Sequence, residues 1–138
     1  MLKFPVLHPE LIKSLAMCGH GDLILIADGN YPLDSATNSG ATKIYLNLTH
    51  GIPSVTQVLE VILPALKIEK AEVMRPDAPA AEPKIFDEFR DNLESGFTLE
   101  SLDRFSFYEV CRRANVRLAI ATGDQRTYAN ILLTVGVV

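Results

Sequence analysis

Apolar positions along this chain fall into two patterns, helical recurrence and short unbroken blocks bounded by turn residues. Leu11, Ile12, Leu15 and Ala16 form an i, i+1, i+4, i+5 stripe behind Pro9 and Glu10. That spacing predicts an amphipathic helix of roughly three turns, stopped by Gly19. Asp22 to Asp28 (DLILIAD) is apolar with polar ends and too short for a helix, so it reads as a buried central strand. Gly29-Asn30-Tyr31-Pro32 behind it is turn chemistry. Lys43 to Leu48 (KIYLNL) alternates like a second strand and is ended by Thr49, His50, Gly51 and Pro53. A helix follows, with Ser54 at its N-cap or first turn and Val55, Val58, Leu59, Ile62 and Leu66 at helical spacing, until Pro64 frays or kinks it.

Lys70 to Met74 reads as a strand, the proline-rich stretch Arg75 to Pro83 as a loop, and Lys84 to Leu93 as a polar amphipathic helix. Phe97 to Asp103 is ambiguous between the two patterns. Phe105 to Arg113 carries Phe107, Val110 and Cys111 at helical intervals, with basic residues expected in its last turn. Arg117 to Thr122 and Ile131 to Val138 close the chain as apolar strands around the polar loop Gly123 to Tyr128. The recurring βαβ order indicates an α/β fold with a largely parallel or mixed sheet. A C-terminus as apolar as Val135 to Val138 belongs in the sheet or in a subunit contact.

Composition narrows the classes. With 138 residues, 48% of them hydrophobic, residues 1–138 make one domain able to bury a core without a disulfide or metal staple. A net charge of −4 argues against a nucleic-acid surface. No apolar run approaches the ~20 residues of a membrane-spanning helix, which argues against a membrane partner. Two cysteines and the lack of a secretory pattern make a reducing, cytoplasmic setting the expectation.

Candidate chemistry begins with the three histidines, His8, His20 and His50. His20 stands out in Cys18-Gly19-His20-Gly21-Asp22, where flanking glycines leave the ring accessible just past a helix C-terminus. The bland account is a capping residue in a tight turn. Cys18 at a helix C-terminus is poorly placed for a thiolate nucleophile. His20, Asp22 and Asp28 have metal-ligand chemistry but none of the paired spacings of a zinc or calcium site. There is no G-x-S-x-G, P-loop or G-x-G-x-x-G sequence. Asp28 ends a buried strand, where open α/β sheets bind ligands, against the alternative of a plain Asx-turn. The same rule marks Thr122-Gly123-Asp124. Tyr128 and Asn130 flank a small residue, so in an extended stretch they share a face and suit sugar hydroxyls; a core Tyr and a turn Asn are equally good accounts.

Taken in order, Gly19-His20-Gly21-Asp22, the strand ending in Asp28, Gly51-Ile52-Pro53-Ser54, Arg104-Phe105-Ser106-Phe107-Tyr108-Glu109 and Tyr128-Ala129-Asn130-Ile131 resemble the D-ribose pyranase and L-fucose mutarotase family over nearly the whole chain. The resemblance implies a three-layer α/β/α domain with a mixed, mostly parallel sheet. It further implies a cofactor-free, metal-free isomerase that interconverts the cyclic forms of a free monosaccharide, in ring-shaped homo-oligomers that are often decamers. It carries the catalytic histidine onto His20, the ligand aspartate onto Asp28, and the sugar-binding tyrosine and asparagine onto Tyr128 and Asn130. Arg104, opening an RFxFYE segment, resembles the fucose branch, whereas the ribose branch has a histidine in that region. Asn30 and Tyr31 depart from the fucose pattern, and Arg75 to Leu102 matches neither branch closely. The remaining alternatives are a ribose pyranase and a non-catalytic sugar-binding oligomer.

One distance constrains every version of the site. If residues 21 to 28 form one straight strand, His20 and Asp28 stand about 26 Å apart. Either the flanking loops fold back, or each site combines two subunits.

Overall fold

The computed structural model describes residues 1–138. In chain order it contains α1 (Pro9–Met17), β1 (Leu23–Ala27), β2 (Thr42–Tyr45), α2 (Val55–Ile62) running into a 3-10 turn (Leu63–Ala65), β3 (Ile68–Met74), α3 (Ile85–Asn92), β4 (Leu99–Leu102), α4 (Arg104–Cys111), β5 (Val116–Ala121) and β6 (Ile131–Val135). The strands form one sheet in the order β2-β5-β1-β6-β3-β4. β1 pairs parallel to β5, β5 to β2, and β3 to β4; β6 alone is antiparallel, lying between β1 and β3. The sheet is therefore mixed and mostly parallel. No helix is long and apolar enough to cross a membrane.

Side-chain alternation builds the three layers. Ile24 and Ile26 of β1 point with Leu118, Ile120, Ile131 and Leu133 into one core, covered by Leu11 and Leu15 of α1, Val58, Leu59 and Ile62 of α2, and Phe86 and Phe89 of α3. Leu23, Leu25 and Ala27 point the other way, with Ala119, Ala121 and Leu132, against Phe107, Val110 and Cys111 of α4 and against Tyr31, Leu33 and Ala36. All five residues of β1 are buried, as its unbroken apolar run requires. The rim strands β2 and β4 are short and largely exposed, with Lys43 and Glu100 on them, which discourages pairing with another chain.

Helix starts follow their capping residues. His8 caps α1, its Nδ1 accepting from Leu11 N at 3.3 Å. Ser54 and Gln57 form a capping box on α2, and Asp103 caps α4 through Ser106 N.

Three expectations are corrected and one open stretch is assigned. The strand expected over Lys43 to Leu48 stops at Tyr45, because Leu46 makes a last bond to Ala121 and the chain then turns through the Thr49–Ile52 bridge. The unassigned Phe97 to Asp103 contains the edge strand β4, whose backbone pairs with β3 whatever its side-chain pattern. Arg112 and Arg113 lie beyond the last turn of α4, which ends at Cys111. The C-terminal strand ends at Val135, and Val137 and Val138 are exposed on the isolated chain.

Candidate sugar site at the carboxyl edge of the sheet

Because β1, β3 and β4 run parallel, their carboxyl ends meet on one edge, and antiparallel β6 begins there. That topology places Asp28 after β1, Met74 at the end of β3, Arg104 after β4, and Thr127, Tyr128 and Asn130 ahead of β6 around a common groove of about 220 Å³. Four of the five sequence candidates, Asp28, Arg104, Tyr128 and Asn130, are thereby brought together. His20 is not among them: it precedes β1, at the opposite edge of the sheet.

Asp28 is the fixed centre. It is 4% exposed. Its Oδ1 accepts from the backbone N–H groups of Asn30 and Tyr31, each at 2.9 Å, and its Oδ2 accepts from Asn130 Nδ2 at 3.0 Å. Asn130 Oδ1 in turn accepts from Asp28 N at 2.8 Å. The Asx-turn account therefore holds for Asp28. Three of roughly four acceptor positions on a carboxylate are used, which leaves Oδ2 room for one further donor such as a sugar hydroxyl. Burial pushes the Asp28 carboxyl above its ordinary range, against the opposing pull of its hydrogen bonds.

The rim is aromatic and cationic. The Tyr108 ring packs against Tyr31 with centroids 5.5 Å apart, while the Arg104 and Arg112 guanidiniums stand 5.9 and 5.8 Å from its centre. Tyr108 thus both packs and lines the groove, whereas Glu109 is exposed outside it. Tyr128 does not reach the groove through an extended segment: its φ of 64° is left-handed, a conformation costing ~1–3 kcal/mol in a bulky residue and concentrated at ligand sites.

Beside this groove, sharing Asn30, lies a wider recess of about 710 Å³ lined by Asn47, Thr49, His50 and Gln125. It offers amides and hydroxyls, the His50 imidazole and the Asp124 carboxylate. The smaller groove carries Asp28, Arg104 and the aromatic rings of Tyr31, Tyr108 and Tyr128. Asp124, marked by the strand-end rule, works structurally instead. Burial raises its carboxyl, but the Arg126 guanidinium and the Val55 N–H more than offset that and leave it below the ordinary range.

On the opposite edge, His20 Nε2 lies 3.0 Å from Glu69 Oε2 and both side chains are exposed. Asp22 Oδ2 accepts from Gly19 N at 2.8 Å. Cys18 donates to Ser14 O at 3.3 Å, and burial pushes its thiol up, so it stays protonated. Glu69, Tyr31 and Tyr108 were not selected by spacing, because each is defined by partners distant in the chain.

Comparison with known proteins finds relatives of the chain and of its fold. A D-ribose pyranase of Pseudomonas entomophila is 35% identical over 140 residues, covering 99% of this chain and 98% of that one. The fucose mutarotase of Streptococcus pneumoniae, solved in complex with L-fucose, superposes with a TM-score of 0.85 at 30% identity over 100% of this chain and 99% of that one. Bacillus subtilis RbsD, solved with D-ribose, gives 0.82 at 30% identity over the same shares. The family model described as RbsD / FucU transport protein matches residues 1–138, and the chain belongs to that family.

Proposed function

We propose that this protein is an L-fucose mutarotase: an isomerase that interconverts the anomers of a free monosaccharide by opening and reclosing its cyclic hemiacetal. Sugar mutarotase or pyranase activity is what the family supports, with fucose and ribose both represented among its relatives. The observation that carries the reading is the convergence of Asp28, Arg104, Tyr128 and Asn130 on one groove. The resemblance of the Arg104-Phe105-Ser106-Phe107-Tyr108-Glu109 segment to the fucose branch favours fucose over ribose, and Arg104 lines the groove from the first position of α4.

Ring opening takes the proton from the anomeric hydroxyl, forms the C1 carbonyl as the bond from C1 to the ring oxygen breaks, and returns a proton to that oxygen. Rotation about C1–C2 and reclosure give the other anomer. A group that exchanges protons near neutral pH is required, and His20 takes that role, while Asp28 and Asn130 hold hydroxyls and Arg104 donates to oxygen. Since His20 and Asp28 lie on opposite edges of the sheet, the site is completed by a second copy of the chain, whose His20 edge meets the Asp28 groove of the first. The small open groove of a single protomer accords with this: about 220 Å³ falls below the ~300–1,000 Å³ typical of ligand pockets.

Magnetisation-exchange NMR on equilibrated L-fucose and D-ribose tests the reading. The protein speeds fucose anomer exchange, and His20→Ala removes the roughly 10²–10⁴-fold contribution of general acid–base catalysis. Faster pyranose–furanose exchange in ribose alone moves the protein to the pyranase branch. Binding without exchange of either sugar makes it a binding protein. Mixed oligomers of His20→Ala and Asp28→Ala subunits recover activity if sites are shared, and recover none if each site lies within one chain.

A further inference from the structure

Glu69 reaches His20 by a deformation of its own strand. In the pairing of β3 with β6, Ile68 faces Val135 and Lys70 faces Thr134, so Glu69 is an extra residue without a partner, a β-bulge. The core records the slip: Ile68 shares one face with Ala71 and Val73, which strict alternation forbids. Bulges re-aim a side chain, and this one aims Glu69 Oε2 to within 3.0 Å of His20 Nε2, 49 residues away in the chain.

The surrounding backbone is shaped to hold both partners. Gly136 passes so close to the bulge that a Cβ there would lie 3.1 Å from Glu69 Cβ, and its N–H donates to Lys67 O at 2.8 Å. On the other side, Gly21 takes φ 83° and donates to Val135 O at 2.9 Å, while Asn115 Nδ2 donates to Gly21 O at 2.9 Å. The His20 turn and the bulge are thus fastened to the same end of β6. A hydrogen bond this exposed adds little to stability, so stability gives no account of the arrangement.

We infer that Glu69 is a positioning residue for His20: its carboxylate accepts a hydrogen bond from Nε2–H, fixes that tautomer and leaves Nδ1 as the basic nitrogen presented to the sugar. The inference rests on the reading of His20 as the acid–base group. Nδ1 takes the anomeric hydroxyl proton and returns it to the ring oxygen as the C1–oxygen bond opens, and Glu69 stabilises the imidazolium in between. Because both residues stand on one edge of one protomer, they enter the neighbouring site as a unit.

Glu69→Ala and Glu69→Gln are assayed on whichever of L-fucose and D-ribose the wild type exchanges faster. Glu69→Ala lowers kcat about ten-fold with KM unchanged, less than the ~10²–10⁴-fold loss of His20→Ala. Glu69→Gln, which keeps an acceptor without the charge, falls between Glu69→Ala and wild type. Long-range ¹H–¹⁵N spectra of ¹⁵N-histidine-labelled protein place the His20 proton on Nε2 in the wild type and lose that preference in Glu69→Ala. Glu69→Ala subunits mixed with Asp28→Ala subunits recover activity, and mixed with His20→Ala subunits recover none. Wild-type exchange in Glu69→Ala beside an inactive His20→Ala overturns the inference and leaves the His20 reading standing. An unchanged His20 tautomer overturns it as well. Wild-type exchange in His20→Ala removes the underlying reading itself.

Discussion

Arg104 occupies the first position of α4 with its guanidinium exposed and 5.9 Å from the Tyr108 ring centre. A charge held so lightly adds little to the fold, but it stands at the groove in which Asp28 and Asn130 are locked to each other. A hydrogen bond to a charged group is worth about 1.5–3 kcal/mol. Arg104→Ala therefore raises KM for whichever of L-fucose and D-ribose the protein exchanges roughly 10- to 100-fold with an unchanged melting temperature, measurable by exchange NMR at graded sugar concentration. At this scale the sequence was informative where a residue carries its own signal. Asp28 closes an apolar run, and Arg104 opens a recognisable segment. Glu69 carries none, because its position depends on a bulge in β3 and on the approach of Gly136, both set by strand register across the sheet.

Elements depend on such long-range contacts in a second place. The start of α2 is held by its own capping box and also by Asp124, whose Oδ2 accepts from Val55 N at 3.0 Å. Arg126 binds Asp124 at 2.8 Å and Glu88 of α3 at 2.8 Å, and so ties two helices to the loop that delivers Tyr128 and Asn130. The capping box was legible as Ser54 ahead of a helical stripe. The Asp124–Arg126–Glu88 chain was not, since its members belong to separate stretches whose packing no local pattern records. The edge strand β4 escaped for a related reason: its pairing with β3 comes from the backbone. Arg126→Ala leaves the buried Asp124 carboxylate short of partners and costs about 1–3 kcal/mol in urea unfolding at neutral pH. The pH dependence has a defined sign. Asp124 and Glu88 both titrate below their ordinary values, so the network's stabilisation is fully present above those values and is lost as pH falls through the lower, folded ones. The gap between wild type and Arg126→Ala closes in acid, and a gap that widened there would remove the assignment.

At the scale of the whole molecule, the two edges of the sheet differ in chemistry and each leaves apolar side chains in water. Phe105, beside Arg104, is 78% exposed, and Leu48 near the wider recess is 81% exposed. At the His20 edge, Met17, Val137 and Val138 are exposed. Two unlike patches that meet make a heterologous contact, and repetition of such a contact closes rings when the rotation allows. Fully burying a phenylalanine side chain is worth about 1.5–3 kcal/mol, and a ring repeats that gain at every contact. If the proposed two-chain site is closed across Phe105, Phe105→Asp removes that gain, and it sets a carboxylate in the first turn of α4, where the helix itself tolerates it well. The variant keeps the wild-type circular dichroism but elutes as smaller species in light-scattering chromatography. Its sugar exchange falls in proportion to the lost assembly and returns as protein concentration rises. A Phe105→Asp monomer with full exchange activity would show instead that one chain completes the site alone, and His20 would then have to be replaced as the proton carrier by a group on the Asp28 edge.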